Sequence, residues 1–515
     1  MNYQQKNERI DFVLFSLCVA LCYLLLHGYS FNSGDLSEHL PQVYRHFNSA
    51  LYPHDFFLTY YDQQFTVREA WVKTVTALSA VMPVQVVCFS LHLLCFTLTV
   101  LAWMRIARVF SAAVYAPYIA ALCIFLLVQS LTVGGNTLMG NAFYSSIPAE
   151  MLASWAVYAM LHKRVVWTAV LCGVALWFQA IVGLQMVLLL GAVALFDKHT
   201  WRRAGVFVAV FVPVASPVLV PLLSTYALSC PTCDTSLYYT VLYQYRAFLH
   251  YLPHLFPVQQ YVLFLAMLLP AAYVAYARKH TFKPLLVMCA TALACCVVYT
   301  VLIYTVWPGS GMLQAFKTTV WINACCGVAV SVYVAEKIPE QLNSLVQRFR
   351  VAMGVCAVLL FVVLTHAAYL PVEKLRSRYQ IGTYEYTDLQ RMHEWIRLNT
   401  PVDAMCIADP SDDSFSCEAQ RSMPVNYKAV VHDKKYMLMW WERMKLFYGV
   451  DEKQMAHSTA IEQAIRQYSQ HYIPAIAAQC RYALFRNTVS DSLLHRYGKK
   501  INTTNDWILL ELNTH

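Results

Sequence analysis

The chain has 515 residues, of which 58% are hydrophobic and 13% are charged, and its formal net charge is +9. This apolar content excludes a chain made only of soluble domains and indicates an integral membrane protein. Because the basic residues lie mostly between apolar segments, the positive charge reflects membrane topology, and no nucleic acid is expected as a partner.

Apolar segments that approach the length of a bilayer span recur along the first 370 residues. They lie at 11–30, 84–104, 112–132, 147–162, 165–181, 183–196, 205–225, 258–277, 284–306, 312–334 and 351–370. These segments predict about eleven transmembrane helices. The closely spaced segments between 147 and 196 are the part of this assignment on which the topology depends most.

Basic residues predict the orientation, because they concentrate in one set of alternate loops and that set faces the cytoplasm. The N-terminus is therefore expected on the cytoplasmic side of a bacterial inner membrane. The loop at 31–83 and the region after residue 370 are expected on the periplasmic side.

The loop at 31–83 concentrates ionisable side chains and contains two predicted helices. Leu36–Phe47 has helical spacing of apolar residues, with Asp35 near its N-cap and Glu38 at its third position. Val67–Val81 has the spacing of an amphipathic helix at a membrane surface. Asp35 and Glu38 are thus either a helix cap with a capping box or functional carboxylates.

The outer loop at 229–257 contains Cys230 and Cys233, for which a local disulfide is favoured over a redox-active pair or free thiols. Its tyrosines fit the aromatic belt of a membrane interface. That interpretation explains Arg246 and His250 less well, since both carry polar or charged groups beyond the needs of such a belt.

Residues 371–515 have no further apolar segment that could cross a membrane and predict a small α/β domain. Helices are expected at 386–398 and 456–472, and strands at 405–408, 429–431, 482–485 and 507–512. The acidic residues of this region have the pattern of a solvated loop. They are Asp409, Asp412, Asp413 and Glu418.

Several short motifs resemble those of the GT-C superfamily of membrane glycosyltransferases, and the chain looks like a bacterial branch of that superfamily. They are Gly34-Asp35, Glu38-His39-Leu40-Pro41, Leu51-Tyr52-Pro53, Asp55-Phe56-Phe57, Arg246 with His250-Tyr251-Leu252-Pro253, Trp395-Ile396-Arg397 with Asn399-Thr400-Pro401, Arg421, Lys428 and Trp441-Glu442-Arg443. The resemblance implies an α-helical polytopic domain over residues 1–370, a site in its first outer loop, and a soluble outer domain. It also implies a polyprenyl-phosphate sugar as the donor.

Sugar transfer from a lipid phosphate requires a carboxylate to take the acceptor's proton and cations to stabilise the departing phosphate. Asp35 is the predicted base and Glu38 its partner. His39, Arg45 and Asp55 are predicted to support them, although Asp55 also fits a turn beside Pro53.

Arg246, His250 and Lys317 are the candidate ligands of the donor phosphate on the outer side. Lys317 lies in an apolar helical segment, where it would either bind an anion or extend its amine to the interface. Asp35 and Glu38 are also candidate ligands of a divalent cation, Mg or Mn.

The expected function is transfer of a sugar from a polyprenyl-phosphate donor, within membrane lipid, to an extracytoplasmic glycan, lipid or protein. Two other classes of function stay possible. A lipid or glycan transporter or flippase would place ionisable groups in mid-membrane and contain broken, repeated helices. A non-enzymatic cell-envelope assembly protein would use the outer domain to bind a partner.

Overall fold

The computed structural model of the protein describes residues 3–32, 34–196, 200–227, 230–305, 307–339, 350–365, 387–457 and 459–513. The chain forms two compact units, each assembled from separate stretches. The first comprises Met1–Ser30, Gln85–Leu219 and Leu249–Ile381; the second comprises Phe31–Val84, Val220–Phe248 and Gly382–His515. The predicted domain boundary at residue 370 lies outside the described residues.

Helices, most of them long and apolar, build the first unit. With some extending past its bounds, they are Tyr3–His27, Val84–Phe110, Ala116–Leu122, Ser146–Leu161, Val165–Phe178, Ala180–Leu195, Thr200–Ala227, Phe248–Tyr251, Val258–Ala277, Lys279–Thr305, Thr319–Ala335 and Arg350–Thr365. Shorter 3₁₀ or π turns occupy Cys123–Leu127, Pro253–Leu255, Pro308–Leu313 and Ala315–Thr318. Each predicted apolar segment overlaps one of these helices.

Within the described residues, six helical segments are long and apolar enough to cross a membrane. They are Glu8–His27, Val84–Phe110, Arg202–Thr225, Val258–Ala277, Lys279–Thr305 and Pro308–Ala335. Ala116–Leu127, Val165–Phe178, Ala180–Leu195 and Ala352–Val363 are shorter apolar helices. The protein is therefore a mostly helical, multi-pass membrane protein, whereas the total of eleven spans and the orientation stay predictions.

Glycine permits two close helix contacts in the first unit. A Cβ on Gly327 would lie 2.5 Å from a side-chain carbon of Ile124, and one on Gly173 would lie 2.6 Å from Val214. Small residues let helix backbones approach closely where the hydrophobic effect supplies little drive, as in a membrane. Larger side chains at either position would force these helices apart.

The second unit combines helices of the predicted outer loops at 31–83 and 229–257 with those of the C-terminal region. They are Leu36–Phe47, Phe56–Tyr61, Glu69–Ser79, Thr235–Thr240, Asp388–Asn399, Phe415–Glu418, Lys434–Tyr448, Ala460–Gln470, Pro474–Gln479 and Asp491–Tyr497. A π turn covers Val241–Arg246, and a 3₁₀ turn covers Glu452–His457. The helix predicted at Leu36–Phe47 is confirmed, as are those near 386–398 and 456–472.

A four-stranded mixed sheet lies in the C-terminal region, with strands β1 (Cys406–Ile407), β2 (Tyr482–Arg486), β3 (Gly498–Thr503) and β4 (Trp507–Leu512) in the order β1-β2-β4-β3. Strand β1 is parallel to β2, whereas β4 is antiparallel to both β2 and β3. Helix Asp388–Asn399 contributes to the core beside this sheet. The buried core that this helix and the sheet form together includes Met392, Ile396, Cys406, Ala408, Leu484 and Leu509.

The strand predicted at 429–431 is wrong, since the structure assigns no strand to these described residues. Their carbonyl groups accept hydrogen bonds from side chains instead. The Tyr436 hydroxyl donates to Ala429 O at 3.2 Å, and Arg68 Nη2 donates to Val430 O at 3.1 Å. Apolar composition alone did not distinguish this buried loop from a strand.

The local disulfide predicted between Cys230 and Cys233 is confirmed. It directly precedes Asp234, whose Oδ1 accepts hydrogen bonds from Ser236 N at 2.9 Å and Leu237 N at 3.0 Å. This capping starts the short helix Thr235–Thr240.

Candidate functional site

Asp35 directly precedes helix Leu36–Phe47, but its side chain makes no capping hydrogen bond. Instead, Asp35 Oδ1 lies 2.9 Å from Lys428 Nζ, and about half of the Asp35 side chain is exposed. The structure therefore does not support the interpretation of this side chain as a helix cap. Its carboxylate is accessible to a ligand and has a cation beside it.

Glu38, in the first turn of the same helix, is buried and forms an ion pair with Arg68. Burial raises the pKa of the Glu38 carboxyl, and the charge of Arg68 opposes that rise. Arg68 Nη2 also donates to Val430 O at 3.1 Å, so its guanidinium connects the helix to the C-terminal region. Glu38 thus has a cationic partner in place of the capping-box interaction.

His39 is buried beside this pair. Its Nδ1 contacts the carbonyl of Asp35, and its ring packs edge-on against Trp71 with the centroids 4.8 Å apart. Burial and then the charge of Arg68 lower the pKa of His39 to about 4. The imidazole is therefore neutral at pH 7, with Nδ1–H donating to the Asp35 carbonyl. Among the described residues, none hydrogen-bonds to His39 Nε2.

Arg246 ends the π turn Val241–Arg246, within the second unit. Its Nη2 donates to Lys428 O at 2.6 Å, and its guanidinium carbon lies 5.0 Å from the centroid of the Tyr427 ring. The charges of Lys428 and Arg246 both act on the Glu38 carboxyl. The structure therefore brings Arg246 together with the predicted carboxylates, and it adds Arg68 and Lys428 to them.

The other two predicted phosphate ligands, His250 and Lys317, belong to the first unit. There the charge of Lys317 acts on the buried carboxyl of Glu150, whose Oε2 accepts a hydrogen bond from Met139 N at 2.8 Å. Phosphate binding by His250 and Lys317 stays a prediction. Glu150 was not among the candidates from the sequence. Its position as an isolated glutamate within an apolar helix could have identified it, because ionisable residues are rare in such helices.

Asp55 and Arg45 have structural partners in the second unit. Asp55 Oδ1 accepts from Leu58 N at 3.0 Å and its Oδ2 accepts from Met423 N at 3.1 Å, so this carboxylate caps helix Phe56–Tyr61. Arg45 forms an ion pair with Asp62, whose side chain is about half exposed. Their supporting roles in the site stay predictions.

The acidic residues near 409–418, predicted to form a solvated loop, are paired within the fold. His393 Nε2 lies 2.8 Å from Asp412 Oδ2, and His393 Nδ1 lies 2.7 Å from Glu418 Oε2. Asp409 pairs with Arg486 at 2.8 Å. The solvated-loop prediction is wrong because these partners are distant in sequence and invisible to local composition.

Burial alone would lower the pKa of His393, but the carboxylates of Asp412 and Glu418 outweigh it and raise that pKa to about 10. The imidazole is therefore charged at neutral pH and donates from both nitrogens. The three side chains form a buried group that we call the His393 cluster, comprising His393, Asp412 and Glu418.

Within the described stretches, no group of three or more His, Cys, Asp or Glu side chains is placed to hold a metal ion. Asp35 and Glu38, the predicted metal ligands, each face a cationic side chain. A hard divalent cation needs several oxygen ligands. As arranged, these residues do not fit Mg or Mn.

Comparison with known families yields a match to the profile of a domain of unknown function (DUF6798) at residues 387–447. The matched segment contains the His393 cluster and Lys428. No curated protein matches the chain.

Two crystal structures of the Archaeoglobus fulgidus oligosaccharyltransferase are similar to this chain, one in the apo form and one in complex with Zn and sulfate. Each is 12% identical with a TM-score of 0.47. The matches cover 94% and 95% of this chain, and 70% and 71% of the respective neighbours.

Proposed function

We propose that the protein is a membrane glycosyltransferase that moves a sugar from a polyprenyl-phosphate donor to an extracytoplasmic glycan, lipid or protein. The observation that carries the proposal is the half-exposed carboxylate of Asp35, 2.9 Å from Lys428 Nζ. Arg246 donates to the Lys428 carbonyl and adds a second cationic side chain. An accessible carboxylate with two neighbouring cations fits the requirements of transfer from a phosphate.

In the proposed reaction, the bond between the anomeric carbon and the donor phosphate oxygen breaks, and a bond to the acceptor oxygen or nitrogen forms. The departing phosphate keeps the electron pair of the broken bond. Asp35 takes the proton of the acceptor, a role that typically contributes about 10²–10⁴ in rate. Lys428 and Arg246 stabilise the charge of the phosphate, in the bound donor and as it departs, each by a charge-assisted contact of about 1.5 kcal/mol.

Glu38 has a different part in this proposal because it is buried and already paired with Arg68. Its negative charge lies near enough to Asp35 for the two carboxyls to interact. Glu38 therefore maintains the electrostatic setting of Asp35 and the position of helix Leu36–Phe47. His39 Nδ1 donates to the carbonyl of Asp35 within the same turn and helps to fix that carbonyl.

The test is lipid and glycan profiling of cells that carry the wild-type protein, Asp35→Asn or a deletion. We expect Asp35→Asn to match the deletion, with a polyprenyl-phosphate sugar accumulating and a surface glycan, lipid or protein lacking that sugar. Asp62→Asn is the matched control, because Asp62 is also half exposed and paired with a cation in the same loop. If Asp35→Asn matches the wild type while the deletion has a phenotype, the proposal is wrong.

A second candidate, transport of a lipid or glycan, is favoured by Glu150 and Lys317 in the first unit. An ionisable residue buried within an apolar helix of a membrane protein often marks a substrate or ion pathway. Transport predicts that Glu150→Gln abolishes substrate movement across proteoliposomes while Asp35→Asn leaves it intact. Transfer to an acceptor by wild-type protein in detergent, where no compartments exist, would instead favour the transferase.

A further inference from the structure

We infer that the segment matching the domain of unknown function completes the candidate site, with the His393 cluster positioning the backbone that carries Asp35. The catalytic consequence rests on the proposed function, whereas the structural consequence does not. His393 is a positioning residue in this scheme, since it reaches the site only through other residues. All the groups involved lie in the second unit.

The first step is the link from His393 to both ends of the segment 412–418. Its two ring nitrogens contact Asp412 and Glu418, and its ring packs edge-on against Phe415 with the centroids 5.4 Å apart. The His393 side chain is completely buried. A single charged imidazole therefore holds the start, the middle and the end of this segment.

The second step is the contact between the segment 412–418 and the residues around Asp35. Asp413 Oδ2 accepts a hydrogen bond from Gly34 N at 2.8 Å, and Glu418 Oε1 accepts from Asn32 Nδ2 at 3.3 Å. The Cys417 thiol contacts the carbonyl of Leu36 at 3.5 Å. The backbone on both sides of Asp35 is thus held by the segment that His393 organises.

The third step is the conformation of that backbone. Asn32 has φ of 66° and Gly34 has φ of 60°, both in the left-handed region. Non-glycine residues adopt this region uncommonly, although asparagine is among those that tolerate it best. Because this conformation is not the default of a free chain, the contacts from Asp413 and Glu418 select it. They thereby set the direction in which Asp35 leaves the loop and meets Lys428.

Lys428, the ion partner of Asp35, belongs to the same matched segment, 387–447. This segment therefore contributes twice to the candidate site: by a cation in contact with Asp35 and by the His393 cluster behind the loop. A domain that only bound a separate partner would need neither contact. Its role in this protein is thus to assemble the Asp35 site.

The experiment uses full-length purified protein and compares wild type with His393→Gln, which keeps a polar side chain but removes the charge and replaces one of the two donor nitrogens with an acceptor oxygen. Arg486→Gln is the matched control, since it breaks the Asp409–Arg486 pair in the same region. Hydrogen exchange of the peptide that contains Gly34 reports loop order. Transfer from a polyprenyl-phosphate sugar is measured in parallel, alone and in an Asp35→Asn background.

We expect His393→Gln to speed exchange of the Gly34 peptide and to lower kcat by about 10²-fold with little change in KM, since small misplacements of reacting groups have effects of this size. In the Asp35→Asn background it should cause little further loss, because both changes remove the same function. Arg486→Gln should leave exchange and kcat within twofold of wild type.

Unchanged exchange of the Gly34 peptide in His393→Gln would overturn the inference, as would an equal loss of kcat with and without Asp35. If exchange rises but Asp35→Asn retains full transfer, the positioning is correct and the proposed function is wrong. Should His393→Gln fail to fold, Asp413→Ala decides the same question, because it removes only the acceptor of the Gly34 N–H.

Discussion

Two ion-paired clusters of the second unit differ in how far water reaches them. In the His393 cluster, the side chains of His393 and Asp412 are 0% and 2% exposed. In the Asp35–Lys428 pair, the side chains are 51% and 32% exposed. The first cluster surrounds one imidazole with two carboxylates, whereas in the second about half of the carboxylate side chain is exposed to solvent.

The difference indicates a division of roles. Removing one member of a buried ion pair leaves an uncompensated charge without water and destabilises the fold strongly. An exposed pair contributes little stability, so its members can exchange partners when a ligand arrives. The buried cluster therefore maintains structure, and the open pair is available for chemistry. The experiments below separate stability from activity to test this division.

The largest expected effect is on activity. We expect Asp35→Asn to lower the transfer rate by about 10²–10⁴, because the proposed general base is lost. The free energy of unfolding should change by less than about 1 kcal/mol, as for other exposed ion pairs. Transfer assays and thermal unfolding of the same preparation check both. A large loss of stability in Asp35→Asn, but not in Asp62→Asn, would contradict the division of roles.

The largest expected effect on stability is that of His393→Ala, which leaves Asp412 and Glu418 facing one another in a buried site. By analogy with other broken buried pairs, we expect a loss of about 3–5 kcal/mol in the free energy of unfolding. Denaturant titration of the purified protein measures it. Arg486→Gln also leaves a buried carboxylate, that of Asp409, but this carboxylate still accepts hydrogen bonds from Ser411, so we expect a smaller loss of about 1.5 kcal/mol. Equal losses would show that burial of the His393 cluster is unimportant.

The pH dependence of stability sharpens the comparison. Because the pKa of His393 is raised to about 10 by Asp412 and Glu418, its contribution is fully present below the unfolded pKa of about 6.5. That contribution is lost progressively as pH rises from there towards 10. The pKa of Asp412 is lowered despite burial, chiefly by His393, so its contribution falls away in acid. Unfolding temperatures from pH 6 to 10 should therefore converge between wild type and His393→Gln. Parallel curves would contradict this assignment.

The smallest effect is expected from Lys428→Met, with Lys428→Arg as the charge-retaining control. Loss of one charge-assisted contact of about 1.5 kcal/mol corresponds to roughly a tenfold rise in KM for the polyprenyl-phosphate sugar. Lys428→Arg should recover most of the binding, since it keeps the cation. Initial-rate kinetics at varied donor concentration provide the measurement. An unchanged KM in Lys428→Met would remove Lys428 from the phosphate site.

Secondary structure was predictable wherever periodicity and local signals agreed. Helix Leu36–Phe47 and strand β4, Trp507–Leu512, were predicted with the bounds that the structure gives them. Strand β3 was missed because it contains Lys499, Lys500 and Asn502 and lacks an apolar alternation. Its partner β4 supplies the buried face, and that pairing is a tertiary contact.

The candidate site was predictable only in part. Asp35 and Glu38 were predicted as site residues because carboxylates near a membrane are costly unless they are paired, solvated or functional. Their partners Lys428 and Arg68 were not predicted as site residues, although Lys428 was among the motifs of the resemblance, because a basic residue in a polar region is ordinary. Asp412 and Glu418 looked solvated for a related reason: their common partner, His393, lies outside the segment in which they occur.

Composition and periodicity were sufficient to establish a polytopic helical membrane protein, because solvation in a bilayer depends on each segment's own side chains. Whether a charged side chain is exposed, paired or buried depends on residues brought close by folding. Asp35 meets Lys428, and Asn32 meets Glu418, across most of the chain's length. Folding therefore decided which carboxylate stays half exposed, as the proposed site requires, and which are buried in ion pairs.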